Sequence, residues 1–220
     1  MRRSDHGQPA LRKDAERNRR QLLAAAGDVF QEAGIDASLE EVARRANVGI
    51  GTLYRRFPTR SSLIEALFIA KAQEFATVSE QALEAEDALK GFRNLVQWLC
   101  EMQAEDHGFS QVICGFWPSA PGLQELLDEA RENAERLVRR AQAQGTLRSD
   151  LVLGDLIWIL LANGAYLEAT RAYAPEAWRR YLALILDALR APAKSTLPSP
   201  PSEEQTRLLL RRIGHGIVHD

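Results

Sequence analysis

The sequence predicts an all-α chain: a three-helix unit at the N-terminal end and a larger helical body behind it. Three observations carry this. Ser38 to Phe57 reads as two short helices joined by a tight turn. Leu123 to Ala143 places Leu123, Leu126, Leu127, Ala130, Ala134, Leu137, Val138 and Ala141 at i, i+3, i+4, i+7 spacing, the mark of a half-buried helix. Leu151 to about Tyr173 is apolar nearly all round through Leu161, which in a water-soluble chain demands a helix covered on every side.

The chain has 220 residues, 45% hydrophobic and 26% charged, ordinary for a globular protein large enough to bury a real core. The net charge of −2 hides an asymmetry. Residues 1–60 hold twelve Lys and Arg against eight Asp and Glu, and the rest of the chain is acidic. A basic end on an acidic body suits presentation of that end to a polyanion. Met1-Arg2-Arg3 leads into polar residues rather than an apolar leader, and the apolar stretch Leu156 to Leu167 is too short to span a bilayer, so a cytoplasmic protein without a membrane partner is expected. Cys100 and Cys114 read as buried thiols, and four scattered histidines form no ligand cluster, so no metal or cofactor is expected.

Residues 1–16 form a polar arm, expected to be flexible, with two open readings: Arg2, Arg3, Arg12 and Lys13 enter a minor groove, or the arm is a solvated tail. Residues 17–60 make the three-helix unit. Its first helix, Glu16 to Ala33, buries Leu22, Leu23, Ala26, Val29 and Phe30, and Gly34 ends it. Ser38 is a good N-cap for the second helix, with Glu41 placed to close a capping box. Asn47 supplies a left-handed residue at the turn. In the third helix Leu53 and Phe57 face inward. Gly51, Thr52, Tyr54, Arg55 and Arg56 face out: small residues for close approach, then a phenol and two guanidinium groups. This arrangement fits a DNA-reading helix-turn-helix better than a solvated basic helix, the alternative reading.

Residues 61–191 make the body. Thr59 caps a helix that begins near Arg60 and runs to about Ser79, bridging head and body. Asp87 to Ala104 is a second body helix. His107 to Gly122 is broken and aromatic-rich, reading as a pocket wall or as a core loop. After Gly145 come the apolar helix and a last one, with Pro175 in its first turn and Glu176 at its positive end. One subunit cannot readily cover both. A twofold dimer that packs the pair on its copy as a four-helix bundle covers them. Its expected interface is Leu156, Ile159, Trp178, Tyr181, Leu182, Ile185 and Leu189. Residues 192–220 are a Pro-rich linker and a tail, expected to be disordered or loosely docked.

Residues 19–67 resemble the DNA-binding domain of the TetR family of bacterial one-component regulators. The match runs through Arg19-x-x-Leu22-Leu23-x-Ala25-Ala26, Phe30-x-x-x-Gly34, Ser38-x-x-x-Val42-Ala43-x-x-Ala46-x-Val48 and Gly51-Thr52-Leu53-Tyr54-x-x-Phe57-Pro58-x-Arg60. It departs at Asn47, where glycine is commonest, at Arg56, where histidine is common, and at Arg60, where lysine is common. The resemblance implies a homodimer on a pseudo-palindromic double-stranded operator. Thr52 and Arg55 would read bases, Gly51 would allow close approach, and Ser38, Tyr54, Arg56 and Arg60 would hold phosphates, with Arg19 near the DNA backbone. It also implies repression relieved by a small effector in the body. The candidate lining is Trp98, Met102, Phe109, Phe116, Trp117, Trp158, Asn163 and Tyr166, apolar enough to suit a hydrophobic molecule. No phosphate loop, metal cluster or nucleophile–base pair argues for an enzyme. The alternatives are a helical enzyme with a site assembled from distant residues and a helical interaction module that never touches DNA.

Overall fold

The structure, a computed structural model, describes residues 8–113 and 120–215. The head comprises α1 (Gln8–Ala33), α2 (Leu39–Arg45) and α3 (Ile50–Arg56). The body comprises α4 (Arg60–Glu84), α5 (Ala88–Glu105), α6 (His107–Ile113), α7 (Pro121–Ala143), α8 (Leu153–Thr170) and α9 (Ala177–Ala188), with α10 (Glu203–His215) in the tail. No strand occurs among the described residues; a lone antiparallel bridge joins Leu147 to Arg190.

The head closes on a core of Leu22, Ala26 and Phe30 from α1, Val42 and Ala43 from α2, and Leu53 from α3, each at most 3% exposed. Its local signals hold. Gly34 takes φ 78 and Asn47 φ 53, the left-handed turns that let α1 and α2 stop sharply. Thr59 caps α4 through the Ser62 N–H at 3.0 Å, and the Ser62 hydroxyl returns to the Thr59 N–H, a complete capping box.

Three boundaries differ from expectation. The first helix begins at Gln8, so half of the expected arm is helical, and Pro9 sits in its first turn, where a missing N–H costs nothing. α4 continues five residues beyond Ser79, ended by Arg140 of α7, which donates to the carbonyls of Leu83, Ala85 and Glu86. Pro175 lies just ahead of α9, and Glu176 is the N-cap residue.

α4 and α7 form the most extensive helix pair, the spine of the body, and α5 packs against both. α4 and α5 meet closely at Gly91: a Cβ there would lie 2.3 Å from the Ala82 carbonyl oxygen. α6 wedges between α1, α4 and α5, and α8 and α9 lie outermost. Of the two expectations for the tail, disorder or docking, the described residues show docking. Arg148, 7% exposed, binds Asp150 at 2.6 Å and the Ser195 carbonyl at 2.8 Å, while Asp150 accepts from the Leu197 N–H at 2.8 Å. This clasp holds the linker while α10 reaches α6. Among the described residues no helix is long and apolar enough to cross a membrane, and no group of His, Cys, Asp and Glu is placed to hold a metal. Cys100 is buried; Cys114 lies outside the described residues.

Candidate nucleic-acid interface and body cavity

The outward face of α3 is set by what its inward face buries. Leu53 is fully buried and Phe57, its C-cap, is 4% exposed, so Gly51, Tyr54, Arg55 and Arg56 are exposed and Thr52 is half-exposed. A Cβ on Gly51 would meet nothing within 4 Å. Internal packing therefore does not require glycine there. Arg55 Nη2 donates to the Thr52 hydroxyl at 2.9 Å, so the two expected base-readers are held side by side. Tyr54 is 46% exposed.

The α2 side of the hairpin is braced by ions. Glu41 does not close the expected capping box. Its carboxylate instead takes Arg44 Nε and Nη2, both at 2.7 Å, and Arg45 Nε at 2.9 Å. The two guanidinium groups, Arg44 first, pull the Glu41 carboxyl down to about 2. Arg45 also forks onto Glu32 of α1 at 2.5 and 2.7 Å. A carboxylate chooses two full charges over one backbone N–H, because charge-assisted bonds are the stronger ones. Ser38 caps α2 without that help: its hydroxyl oxygen accepts from the Glu40 and Glu41 N–H groups and donates to the Glu40 carboxylate at 2.6 Å. Arg60 is half-buried, and its Nη1 donates to the carbonyls of Ile35 and Ala37, both at 2.8 Å. It thus ties the α1–α2 turn to the start of α4, a role that spacing alone did not suggest. Arg19 lies half-exposed on α1.

The body contains an apolar cavity of about 50 Å³ walled by Phe75 (α4), Leu99 (α5), Ile113 (α6), and Leu156, Ile157 and Leu160 (α8), with Arg131 of α7 at its rim. The six described residues of the expected lining are placed as follows. Phe109 is fully buried against Phe68, ring centroids 5.9 Å apart, beneath the Lys71 ammonium. Trp98 stacks behind Phe75 at 5.8 Å, and Tyr166 stacks on Tyr181 at 5.4 Å. Met102 is half-buried. Asn163 is fully buried and bonded to Gln103. Trp158 is half-buried, with an indole N–H that finds no partner. Phe116 and Trp117 lie outside the described residues. The described walls of this cavity are mostly aliphatic, with Phe75 the aromatic among them, and Leu99 with the i, i+4 pair Leu156 and Leu160 was the signal available in the sequence.

The residues expected at a dimer interface on α8 and α9 differ in burial. Leu156, Trp178, Leu182 and Leu189, expected at a dimer interface, are 2–7% exposed within one protomer. Ile159, Tyr181 and Ile185 are half-buried, and Leu184, outside the expected set, is 62% exposed.

Two family models match the chain: one for bacterial regulatory proteins of the tetR family over residues 22–67, and one for the SbtR-like transcriptional regulator C-terminal domain over residues 84–191. Over 136 residues the chain is 27% identical to the HTH-type transcriptional regulator YdeS of Bacillus subtilis, covering 61% of this chain and 65% of the relative, just under two thirds of that relative's length. It is 30% identical to a solved TetR transcriptional regulator of Streptomyces coelicolor, over 80% of this chain and 99% of the other, with TM-score 0.47. The regulator FadR of Bacillus subtilis, solved with stearoyl-CoA, shares the fold: TM-score 0.55 at 18% identity, over 76% and 96% of the two chains.

Proposed function

Because this chain belongs to the TetR family of bacterial regulatory proteins, we propose that it is a sequence-specific DNA-binding repressor that acts as a homodimer and is released by a small apolar effector. The observation that carries the DNA reading is the outward face of α3. There Gly51, Thr52, Tyr54, Arg55 and Arg56 form one exposed surface, while Arg44 and Arg45 behind it are engaged by Glu41 and Glu32. Arg55, held by Thr52, reads base edges in the major groove; Gly51 lets the helix approach. Tyr54, Arg56, Ser38 and Arg19 contact the phosphate backbone and set the register. Arg60 joins them only through the nitrogens not given to Ile35 and Ala37.

One such hairpin buries too little DNA for selectivity, and two in a twofold dimer reach successive major grooves of a pseudo-palindromic operator. The apolar surface of Ile159, Tyr181, Leu184 and Ile185 is the dimer contact. The body cavity takes the effector. A ligand that prefers head spacings unfit for DNA releases the operator.

The test is retention of purified protein on DNA flanking its own gene, against scrambled DNA, at two salt concentrations. Selective binding that falls steeply with salt, with two protomers per site, is the expected result. Weak, equal retention on both DNAs would favour the interaction module.

A further inference from the structure

Between α5 and α8, one turn beyond the cavity, lies a buried amide pair. Gln103 follows Leu99 by one turn on α5, and Asn163 follows Leu160 by three residues on α8, so both lie on the stripes that wall the cavity. Both are nearly inaccessible: Gln103 is 3% exposed and Asn163 fully buried. Their orientation is fixed by donors and acceptors. Gln103 Nε2 donates to the Leu160 carbonyl at 3.1 Å, which turns its Oε1 toward Asn163. That oxygen needs a donor, so Asn163 Nδ2 meets it at 3.0 Å. Asn163 Oδ1 is left over, buried and without a partner. Rotating Gln103 would set its oxygen against the Leu160 carbonyl, and rotating Asn163 would set two amide oxygens together, so the bonded arrangement is the one that leaves the Asn163 oxygen over.

A buried acceptor without a donor costs stability and is uncommon in folded proteins. We infer that the effector of this body is a small apolar molecule carrying one hydrogen-bond donor, a hydroxyl or N–H, and that Asn163 Oδ1 receives that donor. The inference rests on the effector reading above. The apolar walls take the hydrocarbon, and the amide end fixes the donor. At about 50 Å³ the cavity accepts a group of only a few heavy atoms, so a ring-sized ligand has to part α5 from α8. Parting them loosens the two bonds that cross between the helices, Gln103 Nε2 to the Leu160 carbonyl and Asn163 Nδ2 to Gln103 Oε1, and opens Asn163 Oδ1 to a partner. The other orphan, Trp158 Nε1, lies five residues earlier, about 140° round the helix, and belongs to a different face.

Phenol and toluene test this, being nearly equal in shape and differing in the donor. Each is titrated into the full chain by calorimetry, with the shift in melting temperature as a second readout. Phenol should bind about tenfold tighter, the worth of one hydrogen bond to an otherwise unsatisfied acceptor. In the double variant Gln103→Leu/Asn163→Leu, which leaves no amide oxygen behind, the preference should vanish while toluene binding persists; if that variant fails to fold, the comparison on the native chain still decides. Equal binding, binding of neither, or a preference that survives the double variant overturns the inference. The same compounds are then added to the protein–operator complex. Release by both alike keeps the effector reading and removes this one. Donor-selective binding without release keeps this site and removes the effector reading.

Discussion

The head and the body both cover apolar helix faces, but the head finishes the task and the body does not. In the head every inward side chain of α2 and α3 is buried by α1 and the start of α4, and the charges around it pair off as Glu32–Arg45–Glu41–Arg44. The body leaves a cavity, an unpartnered Asn163 oxygen, an unpartnered Trp158 N–H, and Leu184 in solvent. On the proposed function, the closed head would present one fixed surface, and the incomplete body would have places for another molecule to fill.

Truncating Leu53 to Ala tests this contrast most severely. It should cost about 2–5 kcal/mol in denaturant unfolding, since Leu53 is packed on all sides. Leu160→Ala should cost measurably less, because a side chain beside a void already lacks partner atoms on one side. Equal costs would remove the distinction between a closed head and an incomplete body. Gly91→Ala comes next: with the Ala82 carbonyl 2.3 Å from the added Cβ and no flexible side chain to yield, about 1–3 kcal/mol should be lost, read as a lower melting temperature. A neutral result would mean that α4 and α5 are free to slide.

On the head's outer face, Arg55→Ala should cost about 1–3 kcal/mol of operator affinity and relax selectivity at one position per half-site, whereas Arg56→Ala should weaken all sequences alike and lessen the salt slope. Binding assays over a panel of single-base operator variants separate the two. Identical profiles would show that neither reads bases.

The smallest effects appear in acid. Glu41 in the head and Asp150 in the body both titrate below their ordinary values of 4.5 and 3.8. Arg44 and Arg45 hold Glu41 down; for Asp150, Arg148 acts first and the Leu197 N–H second. A carboxyl depressed by folding stabilises above its unfolded pKa, and that contribution fades as pH falls through the folded one. The head's brace should therefore weaken between about pH 4.5 and 2, and the tail's clasp should outlast it. Carboxyl titration by NMR, with pepsin cleavage after residue 190 as a second probe, checks the order. A clasp that opens first would make the tail the weaker attachment.

What was legible in the sequence follows the same division. Ser38, Asn47, Gly34 and Thr59 act on backbone within a few residues of themselves, so composition and spacing sufficed to place α2, α3 and the start of α4. Glu41 was misread because its choice depended on Arg45, which is itself oriented by Glu32 thirteen residues away. In the body the helices were legible but their facing was not. α8 is apolar nearly all round, so no periodicity says whether Leu156 or Ile159 turns inward. The Arg148 clasp joins residues 47 apart and leaves no local trace.

α4 is unbroken from Arg60 to Glu84. At 1.5 Å per residue it is a rod of about 37 Å, close to the separation of about 34–36 Å between successive half-sites on DNA. A rod of that length amplifies angle into distance. A tilt of about 5° at its body end displaces the far end by about 3 Å, roughly the rise of one base pair. On the proposed function, registration of two heads on an operator would thus be sensitive to rotations of α4 that leave every helix intact.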